Sequence, residues 1–289
     1  LLIGGTLVPV FGLMYIGDGS IMNGIEALVA SNPEKLEVMG ASDSSIPFST
    51  LFTGMMLVQL FYWGTNQAII QRALGAKNLI EGQKGLIYAG FVKILGPIIV
   101  VLPGIIAYHI FGNELDASQG DQSYGILVAK VLPASLVGFF AAVLFGAILS
   151  SFNSALNSSV TLFGLDIYKQ YFKKDATEKE VVKAGKTFGI GLALFSMLIA
   201  PTIANAPDGL FGYLQEVNGC YSIPILTIII VGYLTKRVPA VAAKVAMLSG
   251  VVLYCFSQFY LKGEVEAAGG IYPHYLHVMA ILFSFNVLL

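Results

Sequence analysis

The chain has 289 residues and a formal net charge of −1. Charged residues are 11% and hydrophobic residues 56%, against roughly 25% charged in soluble domains. So few charges cannot clothe a water-soluble globule, disordered chains are charged and poor in apolar residues, and there is no basic footprint for nucleic acid. A polytopic membrane protein remains. The expected fold class is all-α, because only helices close their own backbone hydrogen bonds in lipid at these segment lengths. Cys220 and Cys255 both sit in apolar runs, so no disulfide scaffold is expected. Leu1 opens inside an apolar run with no Met, basic n-region or cleavage site. We therefore expect that Leu1 does not open a signal peptide and that the first helices of a longer protein are missing.

A spanning helix needs about 20 mostly apolar residues. Eight candidates follow one another, at 1–17, 48–71, 85–111, 124–160, 184–205, 209–233, 238–261 and 273–289, the first and last of them clipped. The fourth is too long for one straight crossing, which predicts an outer lead-in before the helix proper. Loop 18–47 is acidic and Ser-rich with an amphipathic stretch near 21–30. Loop 166–187 is expected to hold a short inner helix entered at Asp175-Ala176-Thr177-Glu178. Basic residues mark the cytoplasmic side. Twelve of the sixteen collect on alternate loops: Arg72, Lys77 and Lys84, then six lysines between 169 and 186, then Lys236, Arg237 and Lys244. The remaining loops are acidic, with Asp43, Asp116 and Asp208 among their residues. This alternation sends the first helix outward and the second back in.

Three ionisable side chains fall inside spans: Lys93, Lys130 and Glu216. A charge near mid-membrane costs at least about 2.5–3.5 kcal/mol on insertion scales. Lys130 lies near an outer end and can snorkel. Lys93, about eight residues into its span, reads as functional, and Glu216 could pair with another helix. In the second span Gln59, Tyr62, Trp63 and Asn66 recur at i, i+3, i+4 and i+7, one helical face. Amides bond hydroxyls and rings cover the apolar face of a pyranose, so this is equipment for a sugar; an interfacial packing seam is the bland alternative. In the fourth span Ala147, Ser150, Ser151 and Ser154 share a face. Two adjacent hydroxyls with the Ala147 carbonyl suit part of a Na⁺ site, although small residues also serve close helix packing. In the sixth, Phe211 and Gln215 stand at i and i+4, a ring just outside an amide. His109, His274 and His277 lie at outer helix ends and read as interface residues. No metal spacing, phosphate loop or nucleophile triad occurs in the sequence, so an enzyme is not expected.

The stretches FYWGTNQAIIQRALGAKN (61–78), FVKILGPIIVVLPG (91–104), FGAILSSFNSALNSSVTLFGLDIY (145–168) and FGYLQEVN (211–218) together resemble the sodium:solute symporter family, and within it the bacterial sodium/galactose and sodium/glucose cotransporters. The resemblance implies a leucine-transporter-like fold of inverted repeats. The chain would be the C-terminal part of one transmembrane domain over 1–289, with eight helices corresponding to the fifth to the twelfth. It implies Na⁺-driven symport of galactose or glucose by alternating access, in an inner or plasma membrane. Gln59, Lys93 and Gln215 would bond sugar hydroxyls. Tyr62 would cover the sugar on its inner side with Trp63 behind it, and Phe211 would be part of the outer lid. Ala147, Ser150 and Ser151 would be this half's share of a sodium site. The partners implied are the sugar, the sodium ion and the bilayer, with a homodimer allowed. A family member for myo-inositol, proline or an anion is the alternative; a channel, a sensor module and a membrane enzyme are remoter ones.

Overall fold

The computed structural model describes residues 2–289 apart from 42, 43, 45, 115, 116, 204–208 and 237. Asp43, Asp116, Asp208 and Arg237 of the charge alternation therefore lie outside the described residues. All eight predicted spans are helical. Five helices among the described residues are long and apolar enough to cross a membrane: Leu79–Phe111, Ala134–Phe172, Glu178–Ile203, Leu210–Leu234 and Ala240–Ala267. The other three spans are shorter or interrupted helices. The chain divides into two compact units, residues 1–37 with 71–205 and residues 38–70 with 206–289.

The first unit opens with α1 (Leu2–Ile16) and α2 (Ile21–Ser31), which meet at 77°. The corner is built locally. Asp18 and Gly19 have φ of 48° and 97°, a left-handed geometry that glycine adopts without penalty. Ser20 then caps α2 by accepting a hydrogen bond from the Asn23 amide. This is the amphipathic stretch expected near 21–30. Glycines on one face of α1 let neighbours approach closely: a Cβ at Gly5 would lie 2.5 Å from the Ile99 side chain, and one at Gly12 2.9 Å from that of Ile106. Such small-residue contacts replace the hydrophobic drive that helices lack in lipid.

The predicted span at 85–111 starts earlier and is interrupted. It comprises α5 (Leu79–Lys93) and α6 (Gly96–Phe111). The Asn78 side chain caps α5 by accepting from the Glu81 amide at 2.9 Å. Lys93 therefore ends a 15-residue helix just before the short turn Ile94–Leu95, inside the apolar stretch Leu79–Phe111. Pro97 sits in the first turn of α6, where its missing N–H costs nothing. The expected outer lead-in is α7 (Ser123–Val131), separated by Leu132–Pro133 from α8 (Ala134–Leu162). No separate inner helix forms within 166–187. Instead α8 continues as a π-helix to Phe172, and α9 (Glu178–Ile203) begins directly at the predicted entry. Thr177 and Glu180 bond each other's backbone amides at 2.9 and 3.4 Å, a capping box that starts the spanning helix itself. Phe163 and Phe188 stack 4.1 Å apart between the two elements.

The second unit contains α3 (Gly54–Gly64), α10 (Gly209–Leu234), α11 (Ala240–Phe256), a π-helical turn at Ser257–Leu261, α12 (Lys262–Ala267) and α13 (Tyr275–Leu288). Ile223, Tyr254, Leu276, Val278 and Met279 form its buried core. Residues 246, 250, 254, 258 and 262 recur every four positions along α11 and its continuation. Gly250 meets Pro224 of α10, Tyr254 meets Gly219, and Lys262 pairs with Glu216 at 3.7 Å. Glu216 thus finds a partner within this chain. Histidines near helix ends bond neighbouring segments. His277 lies 3.2 Å from the Ser49 hydroxyl and 3.0 Å from that of Thr53, and in the first unit His109 lies 2.9 Å from that of Ser31.

Candidate functional site

The predicted second span is broken. α3 ends at Gly64, and α4 (Gln67–Leu74) begins after Thr65–Asn66. Asn66 is accordingly not the fourth member of a helical face with Gln59, Tyr62 and Trp63. Its side chain accepts from the Ala68 amide at 3.0 Å and starts α4, the turn-forming behaviour typical of asparagine. Interrupted helices leave backbone carbonyls and amides for polar cargo, and in membranes such irregular backbone occurs where it is buried in protein or lines a wet cavity.

On α3 the structure joins three predicted residues into one cluster. The Trp63 indole donates to Gln59 Oε1 at 3.0 Å, and the Tyr62 and Trp63 rings meet edge to face at 5.4 Å. An indole N–H only donates, so this bond fixes the amide orientation. The oxygen is engaged, and Nε2 donates to the Met55 sulfur at 3.8 Å. Tyr62 is exposed.

On α10 Gln215 belongs to a chain of polar groups. Asn218 donates to Gln215 Oε1 at 3.5 Å, and the Tyr221 hydroxyl donates to Asn218 Oδ1. Tyr221 packs edge to face on the buried Phe61 at 6.0 Å, linking α10 to α3. Phe211, one turn before Gln215, is exposed. Asn218 and Tyr221 were not singled out from the sequence, although the spacing 215, 218, 221 carried the signal.

In the first unit Lys93 closes α5, and Ala147, Ser150 and Ser151 lie on α8. The helix runs unbroken through Ala147, so its carbonyl belongs to the helical ladder rather than standing free. A carbonyl oxygen has two lone pairs, and the second can still face an ion. The serines are exposed on α8. Among the described residues no group of three His, Cys, Asp or Glu side chains could hold a metal; hydroxyls and carbonyls suit a small hard monovalent ion. The last turn of α4 docks beside these serines. Gln71 Nε2 donates to the Ser154 carbonyl at 3.0 Å, and Asn157 Nδ2 donates to Gln71 Oε1 at 3.0 Å. Arg72 donates to the Ser154 hydroxyl and lies 3.4 Å from the Ser150 carbonyl. From the sequence, Arg72 counted only as a cytoplasmic charge.

Residues 1–250 match the sodium:solute symporter family. The chain is 45% identical over 287 residues to an uncharacterized symporter of Escherichia coli, YidK, covering 99% of this chain and 48% of that protein. It is 33% identical over 281 residues to the sodium/glucose cotransporter of Vibrio parahaemolyticus, covering 90% of this chain and 51% of that one. It thus spans about half the length of these relatives. A solved structure of a Na⁺-coupled sialic acid symporter in a substrate-bound outward-open state superposes with a TM-score of 0.73 at 19% identity, covering 98% of this chain and 57% of that one. That likeness gives the fold, a leucine-transporter-like one. Neither these relatives nor this structure speaks for a homodimer. With several apolar helices and this ancestry the chain is part of a multi-pass membrane protein, and it belongs to the sodium:solute symporter family.

Proposed function

We propose that the protein is a secondary active transporter that carries a hexose, galactose or glucose, inward with Na⁺ across a plasma membrane by alternating access. The observation that supports this most is the Gln59–Trp63–Tyr62 cluster at the end of α3, directly before the helix break. An oriented amide beside two rings matches a pyranose, which offers hydroxyls at its edge and C–H groups on its face. Gln59 and Gln215 would bond hydroxyls, Lys93 would donate to a third, and Tyr62 would cover the ring on its inner side. Trp63 would back Tyr62, and Phe211 would shield the outer side. Sodium would sit on the Ala147 carbonyl and the Ser150 and Ser151 hydroxyls, which make part of a sodium site.

Coupling then follows from linkage. Sodium favours the state that binds sugar better, and sugar favours sodium by the same factor, typically about 1–3 kcal/mol. Inward movement of each sodium charge gains about 2.3 kcal/mol per 100 mV. The test is sodium-driven uptake in proteoliposomes, competed with galactose, glucose, myo-inositol, proline and sialic acid. Competition by a hexose alone supports the reading; competition by proline or an acidic sugar but by no hexose refutes the substrate assignment. Lys93→Ala and Gln215→Ala are each expected to abolish uptake, and normal transport by Lys93→Ala would show the site to be misplaced.

A further inference from the structure

We propose that Arg72 is a tethered cation that holds the Ser150 and Ser154 oxygens of α8 while sodium is absent and yields them when sodium binds. The inference rests on the sodium-site reading above and deepens it. The Arg72 guanidinium donates to the Ser154 hydroxyl, and its Nη2 lies 3.4 Å from the Ser150 carbonyl and 3.5 Å from the Ser150 hydroxyl. The Ser154 hydroxyl itself donates to that Ser150 carbonyl at 2.9 Å. One unit positive charge therefore already stands on a residue assigned to hold another. Guanidinium and sodium seek the same oxygen lone pairs, and like charges a few ångströms apart repel each other. The two occupants exclude each other.

The docking of α4 does not depend on the charge. Gln71 bonds the Ser154 carbonyl and Asn157 bonds Gln71 through neutral amides, each at 3.0 Å. The guanidinium can leave while this neutral clasp stays.

The experiment measures equilibrium binding of radioactive sodium to the full-length protein without sugar. Arg72→Gln is expected to bind sodium about tenfold more tightly, and Arg72→Lys to fall between it and the unaltered protein. Ser154→Ala, which removes the guanidinium's hydroxyl acceptor but no assigned sodium ligand, should shift affinity in the same direction. This serine variant is decisive by itself should Arg72→Gln not fold. A purely structural arginine would weaken sodium binding on removal, so unchanged or weaker affinity in these variants overturns the proposal. Ser150→Ala and Ser151→Ala separate the two levels. If both leave sodium binding intact, the sodium-site reading fails and the proposal with it. If both abolish binding while Arg72→Gln and Ser154→Ala leave affinity unaltered, only the competition fails.

Discussion

Gly54 opens α3 against α13 with no room to spare. A Cβ built there would lie 1.9 Å from the Leu276 carbonyl oxygen and 2.6 Å from its carbon. Even a close C–H···O approach keeps carbon and oxygen about 3.3 Å apart, so Gly54→Ala forces a separation of about 1.4 Å. Both obstacles are backbone, so no rotamer change relieves them. Overpacking of this kind costs about 1–3 kcal/mol. The larger effect falls on geometry, because Gln59, Tyr62 and Trp63 ride on the same short helix, and a 1 Å misplacement of a positioned group can cost about 10²-fold. The assay is sodium-driven hexose uptake by matched amounts of reconstituted protein, with a thermal melt in detergent alongside. Gly54→Ala is expected to melt several degrees lower and to lose about a hundredfold in uptake at low sugar. Gly263→Ala is the control, since a Cβ there meets nothing within 4 Å. A folded Gly54→Ala protein with uptake within twofold of the unaltered one would refute the idea that the α3–α13 contact positions the sugar cluster.

Removing either partner of the Glu216–Lys262 pair should have unequal effects. The Glu216 side chain is 12% exposed and that of Lys262 33%, so Lys262→Ala removes a cation from beside the less exposed carboxylate whereas Glu216→Gln leaves an ammonium that can reach water. Melting temperatures should therefore fall further for Lys262→Ala, and the reverse order would contradict this account. Asn218→Ala removes the link between Gln215 and Tyr221 and is expected to raise the sugar KM three- to tenfold with little change in maximal rate, read from uptake curves. The Cys220 and Cys255 sulfurs lie 3.6 Å apart across α10 and α11. Copper phenanthroline should accordingly remove both thiols within one chain, counted by alkylation and mass; full alkylation after oxidant treatment would mean that the two sulfurs do not meet.

The spans were legible because insertion into lipid is nearly a compositional property, and the apolar runs overwhelm every other local signal. Conformation inside and between those runs was less visible. Asn66 fits the face of Gln59, Tyr62 and Trp63 in spacing, yet a cap and a helix-face residue look alike until the chain actually breaks. Charges in 72–84 report the side of the membrane, not the absence of helix, so the role of Asn78 as the cap of α5 was hidden. Thr177 and Glu180 carried a true helix start, but nothing in their spacing told whether the helix was short or spanning. The contacts among Gln59, Tyr62 and Trp63 on α3 were recoverable from i, i+3 and i+4 positions. The Arg72–Ser154 contact was not, because it joins residues 82 positions apart, and no one-dimensional pattern records which distant surfaces meet.

The interruption at Thr65–Asn66 has one more consequence. The Thr65 and Asn66 amides both donate to the Phe61 carbonyl, the Ile69 and Ile70 amides donate to that of Asn66, and the Asn66 side chain takes the Ala68 amide, while each half-helix end carries a fraction of a charge. The turn thus satisfies these groups from its own residues, so it can persist inside a helical bundle without borrowing partners from elsewhere.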